Sequence, residues 1–169
     1  MVSRIVMERN VERVPCVRRC PSRVLRPADQ ENLAVLLYAA FRGSIDDEGE
    51  TLGDAERESA SLFGDGYGTL LADCSYVMED AEHLLSACIV TWFGPHDAPL
   101  IAFSMTRPEI LRQGRARQLL AESIDGLRNR GYDRVTLIVT SGNTPAEALY
   151  RAVAFQPVSI GSDTSRGSV

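Results

Sequence analysis

"NTPAEALYRAVAF", residues 143–155, carries the most diagnostic pattern in the chain. It opens like a helix. Thr144 can cap the first turn, Pro145 takes the first helical position, where a missing N–H costs nothing, and Glu147 completes a capping box. "RVTLIVT" (134–140) lies directly before it and reads as a buried strand, because β-branched residues dominate it. "FQPVSI" (155–160) offers a strand after it. Strand, helix and strand in that order imply parallel neighbours joined by a helical crossover.

Toward the N-terminus, "SMTRPEILRQGRARQLL" (104–120) repeats the theme. An apolar strand stops at Pro108, which has no N–H to donate. A helix then begins after Gly114, with Ala116, Leu119, Leu120, Ile124 and Leu127 on its apolar face and Gly131 at its C-terminal cap. The first turn of a helix offers free N–H groups and the positive end of the macrodipole, so it suits an anion. Gly114 and the small Ala116 let a ligand approach the backbone, and Arg112 and Arg115 add charge. Taken alone, one glycine after a strand is more often a plain turn.

Before this lies a strand-rich middle: "CSYVMED" (74–80), "HLLSACIVTWF" (83–93) and "LIAFSMT" (100–106), joined by short polar turns as an antiparallel meander. The first half carries a short strand at "SRVLRP" (22–27) and two helices. The first helix runs from Ala28 with Leu33, Leu36, Leu37, Ala40 and Phe41 at helical spacing, and Gly43 ends it. The second runs from Asp54. Between them sits an acidic loop with Asp46, Asp47, Glu48 and Glu50. Such a run is either a solvated surface or a site for a cation.

On these residues the chain resembles the GNAT superfamily of acyl-CoA-dependent N-acyltransferases. The late motif of that family, N-x-x-A-x-x-L-Y-x-x-x-G-F, is matched at Asn143, Ala146, Leu149, Tyr150 and Phe155, with Ala154 in place of the glycine. Its earlier motif, P-x-x-[QR]-x-x-G-x-[GA], is matched at Pro108, Gly114 and Ala116 and departs at Leu111. The order of elements agrees from residue 23 to about 160. The resemblance implies an α/β fold with a mixed central sheet, antiparallel in its N-terminal half and parallel in its C-terminal half, flanked by about four helices. It divides the chain into an arginine-rich segment (1–22), the acetyltransferase domain (23–160) and a flexible tail (161–169).

The resemblance also implies a chemistry: an acetyl group passes from acetyl-CoA to a primary amine of a small molecule or peptide. Leu111, Arg112, Gln113, Gly114, Arg115 and Ala116 would cradle the pyrophosphate, with Asn143, Ala146 and Tyr150 completing the cofactor side. Backbone N–H near Met105 and Thr106 would polarise the thioester carbonyl. Tyr150 would protonate the departing thiolate, although a tyrosine at this position can also simply pack in a core. The base is open between Glu79 and the acidic loop, and Asp46, Asp47, Glu48 and Glu50 would face a cationic acceptor. The rival is a GNAT-fold module that binds acyl-CoA or a partner without catalysis.

Composition sets the outer limits. The 169 residues carry a net charge of −5, so a nucleic-acid role is not expected. All 18 basic residues are arginine. No apolar run could span a bilayer and no secretory signal is evident, which points to a cytoplasmic protein without a membrane partner. Cys16, Cys20, Cys74 and Cys88 and the two histidines form no ligand spacing, so no metal is expected. One strand of the family's sheet is missing after Phe155. The spare material is at residues 3–8, which would pair beside "RVTLIVT" within the chain or, by strand exchange, across a homodimer.

Overall fold

These periodicities resolve into one mixed sheet in a computed structural model, which describes residues 2–159. The strands are β1 (Arg4–Asn10), β2 (Arg23–Val24), β3 (Thr69–Leu70), β4 (Tyr76–Glu79), β5 (Leu84–Phe93), β6 (Ala98–Thr106), β7 (Arg134–Thr140) and β8 (Gln156–Pro157). The α-helices are α1 (Gln30–Phe41), α2 (Leu52–Phe63), α3 (Arg115–Asn129) and α4 (Thr144–Ala152). Across the sheet the order is β2-β4-β5-β6-β7-β1-β8, and β3 pairs separately with β5. The tail assigned to 161–169 lies outside the described residues.

Apolar faces on both sides of the sheet explain the layering. Leu33, Leu36 and Leu37 of α1 and Leu62 of α2 pack on Val77, Ile89 and Met105. On the other face, Leu119, Leu120, Ile124 and Leu127 of α3 pack on Val135, Leu137 and Val139 of β7, and Phe155 joins them. Each such side chain stabilises the fold by about 1.5–3 kcal/mol when fully buried.

The spare N-terminal strand is supplied within the chain. Strand β1 runs antiparallel to β7 from Arg4↔Thr140 to Asn10↔Arg134, and its other edge takes β8 at Met7↔Pro157 and Glu8↔Gln156. Met7, Val11 and Val14 are buried in the core, so the folded unit reaches back beyond Arg23. This insertion also refines the expected sheet. Strands β7 and β8 run the same way but are held apart by β1, which leaves β6–β7 as the parallel strand pairing among the described residues.

Local chemistry shifts some boundaries. Helix α2 starts at Leu52, ahead of Asp54, because Thr51 is its cap and Asp54 closes the box by accepting from the Thr51 N–H. Helix α4 is capped by Asn143, not Thr144: the Asn143 side chain accepts from the Ala146 N–H at 3.3 Å. Glu147 instead accepts from the Gly142 N–H at 3.0 Å. Just past β1, the Val11 N–H donates to the Asp133 carbonyl at 3.1 Å, which ties the end of that strand to the start of β7.

Candidate active site

The parallel strands part early. Pairing between β6 and β7 is confined to Leu100↔Thr136 and Ile101↔Leu137. In the β5–β6 ladder Val90 opposes Ile101 while Ile89 opposes Phe103, so Ala102 is an extra residue and β6 bends there. Beyond the bulge the two strands diverge. Phe103 and Ser104 form one wall of the resulting cleft and Ile138, Val139 and Thr140 the other. Helices α1, α2 and α4 and the acidic loop close it to a cavity of about 590 Å³.

Tyr150 lines this cavity from α4, its ring edge-on to Phe155 at 6.0 Å between centroids. Burial pushes its phenol up to about 12; the neighbouring Cys88 and Asp46 add to the rise and Ser104 opposes it. The phenol therefore stays protonated at neutral pH. Cys88, fully buried nearby, is pushed up to about 12 by the same loss of solvent. A thiolate released into such surroundings is a stronger base than one in water.

At the far end of β6, Met105 is buried against the α1 face and Ser86 donates its hydroxyl to the Met105 carbonyl at 2.8 Å. Thr106 lies 2.8 Å from the same Ser86 hydroxyl. Both precede the loop into α3, whereas Ser104 is the β6 hydroxyl that lines the cleft. In the loop, Arg112 and Gly114 have positive φ, +60° and +78°. A Cβ at Gly114 would meet nothing within 4 Å, so backbone conformation and not crowding favours glycine there. Leu111 is 54% exposed. Arg115 bonds to the Gln113 side chain, and Ala116 is half-buried in the first turn of α3. Among the described residues, the N–H groups of residues 111–117 donate to no protein acceptor outside the helix ladder. The loop therefore presents a row of amides and two guanidinium groups, the chemistry a phosphate needs.

The four loop carboxylates line the cavity, and three of them, Asp46, Asp47 and Glu50, accept hydrogen bonds within the protein. Asp46 accepts from the Thr140 hydroxyl at 2.5 Å and from the Asn143 amide at 3.5 Å, which ties the loop to the β7–α4 junction. Asp47 accepts from the N–H groups of Gly43 and Gly49, and these hold its carboxyl below the usual range. Glu50 accepts from the Glu48 N–H at 2.9 Å. Glu79 lies elsewhere. Its ion pair with Arg23, at 2.6 Å, holds its carboxyl below the usual range, and Arg23 also grips Asp29. Arg23 therefore engages one of the two base candidates, and Glu79 does not line the cleft.

Other residues of the cleft carry no signal in the sequence. Tyr67, after α2, donates to Glu58 of α2 at 2.5 Å. Phe103 packs edge-on to both Tyr67 and Phe41, with centroids 5.4 and 6.1 Å apart. Among the described residues no group of three or more His, Cys, Asp or Glu is placed to hold a metal ion, and no helix is long and apolar enough to cross a membrane.

Comparison with known proteins agrees with this geometry. Residues 37–155 match the family model described as acetyltransferase (GNAT) family. Over 53 residues the chain is 43% identical to a mycothiol acetyltransferase of Clavibacter sepedonicus, a match that covers 31% of this chain and 17% of the relative. The chain thus matches less than a fifth of that relative's length. In three dimensions it resembles a GCN5-related N-acetyltransferase from Sphaerobacter thermophilus, with a TM-score of 0.68 at 20% identity, over 93% of this chain and 49% of the other. It also resembles a GNAT family acetyltransferase from Brucella melitensis in complex with acetyl-CoA, with a TM-score of 0.59 at 20% identity, over 88% and 92% of the two chains.

Proposed function

The chain belongs to the GNAT acetyltransferase family, and from that membership we propose that it transfers an acetyl group from acetyl-CoA to a primary amine, with Tyr150 as the acid. The observation that carries this reading is the joint placement of a protonated, buried phenol in the β6–β7 cleft and a row of free amides at the start of α3.

In this reading the amides of residues 111–116, with Arg112 and Arg115, hold the pyrophosphate, and the thioester lies in the cleft between β6 and β7. Met105 and Thr106 lead from the cleft to that loop and supply backbone for the acyl end. Asn143 and Ala146 shape the opening of α4 beside it. The amine attacks the carbonyl carbon, the C–S bond breaks, the thiolate takes the Tyr150 proton, and the acylated nitrogen gives a proton back to the phenolate. A phenol raised to about 12 would be a poor acid toward a thiolate in water. Burial raises the thiolate as well. The gap between donor and acceptor then narrows, which favours transfer. The protein works in the cytoplasm in this reading, where its four cysteines remain free thiols.

Acetyl-CoA should raise the melting temperature through linkage. Gly114→Asp should remove that shift, because it sets a negative side chain against the phosphate at a position with φ of +78°. Tyr150→Phe should lower thiol release with an amine panel by about 10²-fold while leaving the acetyl-CoA shift intact. No shift in the wild type at millimolar acetyl-CoA would sink the reading. A shift without thiol release for any amine would assign the chain to acyl-CoA binding without transfer.

A further inference from the structure

Glu58 differs from the other carboxylates of the cleft. Asp46, Asp47 and Glu50 accept from hydroxyl, amide or backbone N–H donors that shape the loop, and Glu48, whose carboxylate has no protein partner among the described residues, is exposed on it. Glu58 stands on a helix, half-buried, one turn beyond the buried Ala55. Its Oε1 accepts from the Tyr67 hydroxyl at 2.5 Å, and its Oε2 has no protein partner among the described residues. Burial, and then the bond to Glu58 and its charge, push the Tyr67 phenol well above its usual value, so Tyr67 acts as a fixed donor. The Tyr67 ring leans on Phe103, and Phe103 is joined directly to Ser104, the hydroxyl neighbour of Tyr150. Glu58 thus lines the cavity together with Tyr67, Phe103 and Phe41, with one carboxylate oxygen unpartnered among the described residues. A carboxylate with aromatic faces beside it is matched to an organic ammonium ion, through a charge-assisted hydrogen bond and cation–π attraction.

We propose that Glu58, held in place by Tyr67, binds the ammonium group of the acceptor and takes its proton, and that the acceptor is a primary alkylammonium whose carbon skeleton lies on the aromatic wall. This rests on the acetyltransferase reading above and adds the base. The steps balance. An N–H bond of the ammonium breaks and its proton passes to Glu58. The freed lone pair forms the C–N bond to the thioester carbon and the C–S bond breaks. Tyr150 gives its proton to the thiolate and recovers one from the acylated nitrogen. The proton on Glu58 leaves to solvent, so acetyl-CoA and an ammonium yield the amide, CoA and one proton.

The test uses the full chain saturated with CoA and two probes of one shape, 2-phenylethylamine, which is an ammonium at neutral pH, and 2-phenylethanol, which is neutral. Calorimetry should give a preference for the ammonium of about tenfold or more. Glu58→Gln should abolish that preference and lower thiol release from acetyl-CoA with 2-phenylethylamine by about 10²-fold. Glu58→Asp, which keeps the charge, should retain the preference. The acetyl-CoA melting shift, read on the same variants, should remain at its wild-type value and shows that each one is folded. A preference that survives Glu58→Gln, or one that is absent from the wild type, overturns the proposal. Absence of the wild-type acetyl-CoA shift with the ammonium preference intact would instead overturn the acetyltransferase reading.

Discussion

Ala154 holds a φ of +66° just past α4, where the GNAT pattern has glycine. A Cβ in that region costs roughly 1–2 kcal/mol. Glycine would remove the strain but loses about 0.4–1 kcal/mol through the unfolded chain. Ala154→Gly should therefore raise the melting temperature by about 2–4 °C, as read by calorimetry. Tyr150 and Cys88 make a second prediction for single residues. Both are pushed up to about 12 by burial, so the unfolded chain releases these protons at lower pH than the fold does. Their contribution is complete below the unfolded values and is lost as pH rises through about 12. Urea melts between pH 9 and 12 should show falling stability, and Tyr150→Phe should make that fall shallower. Single residues are also where the sequence is least legible. Tyr150 and the Gly114 loop stand out because their motifs are local. Glu58 and Tyr67 meet across a "GDGYG" turn that has no periodicity, and the Thr51 and Asn143 caps are each one choice among several polar residues.

Elements are easier to read, because burial imposes a period. The apolar stripe of α3 and the β-branched run of β7 need no partner to be recognised. Strands β3 and β8 are harder: each spans two residues, too few to establish alternation. The role of β1 follows from a shortage elsewhere in the sheet, but what holds the chain after it does not. Gln118, buried on α3, accepts from the N–H groups of Arg19 and Cys20 and donates to the Cys20 carbonyl at 2.8 Å. In the sequence it is one more polar helix residue. Deleting residues 1–12 should lower the melting temperature sharply and expose the β7 edge, with added mass visible by light scattering. A milder probe is Met7→Ala, which empties a fully buried position and should cost about 2–5 kcal/mol in a urea melt. An unchanged melting temperature in the first and an unchanged urea midpoint in the second would mean that β1 contributes nothing to the sheet.

Across the whole molecule, the sheet separates two kinds of work. Its continuous half, β4 to β6, forms a stiff support, and its divided half provides the cleft. Both outer strands, β2 and β8, are two residues long, which keeps the outermost edges short. The placement of β1 bears on biosynthesis. Arg4 pairs with Thr140 and Glu8 with Gln156, so β1 leaves the ribosome long before its partners do. While most of the chain is being translated, the Ile5–Met7 segment has no native neighbour. A nascent chain released after residue 130 lacks β7 and should remain open to protease along its first dozen residues, whereas one released after residue 160 should protect them. The eight charged side chains among the first 23 residues would keep that waiting segment soluble.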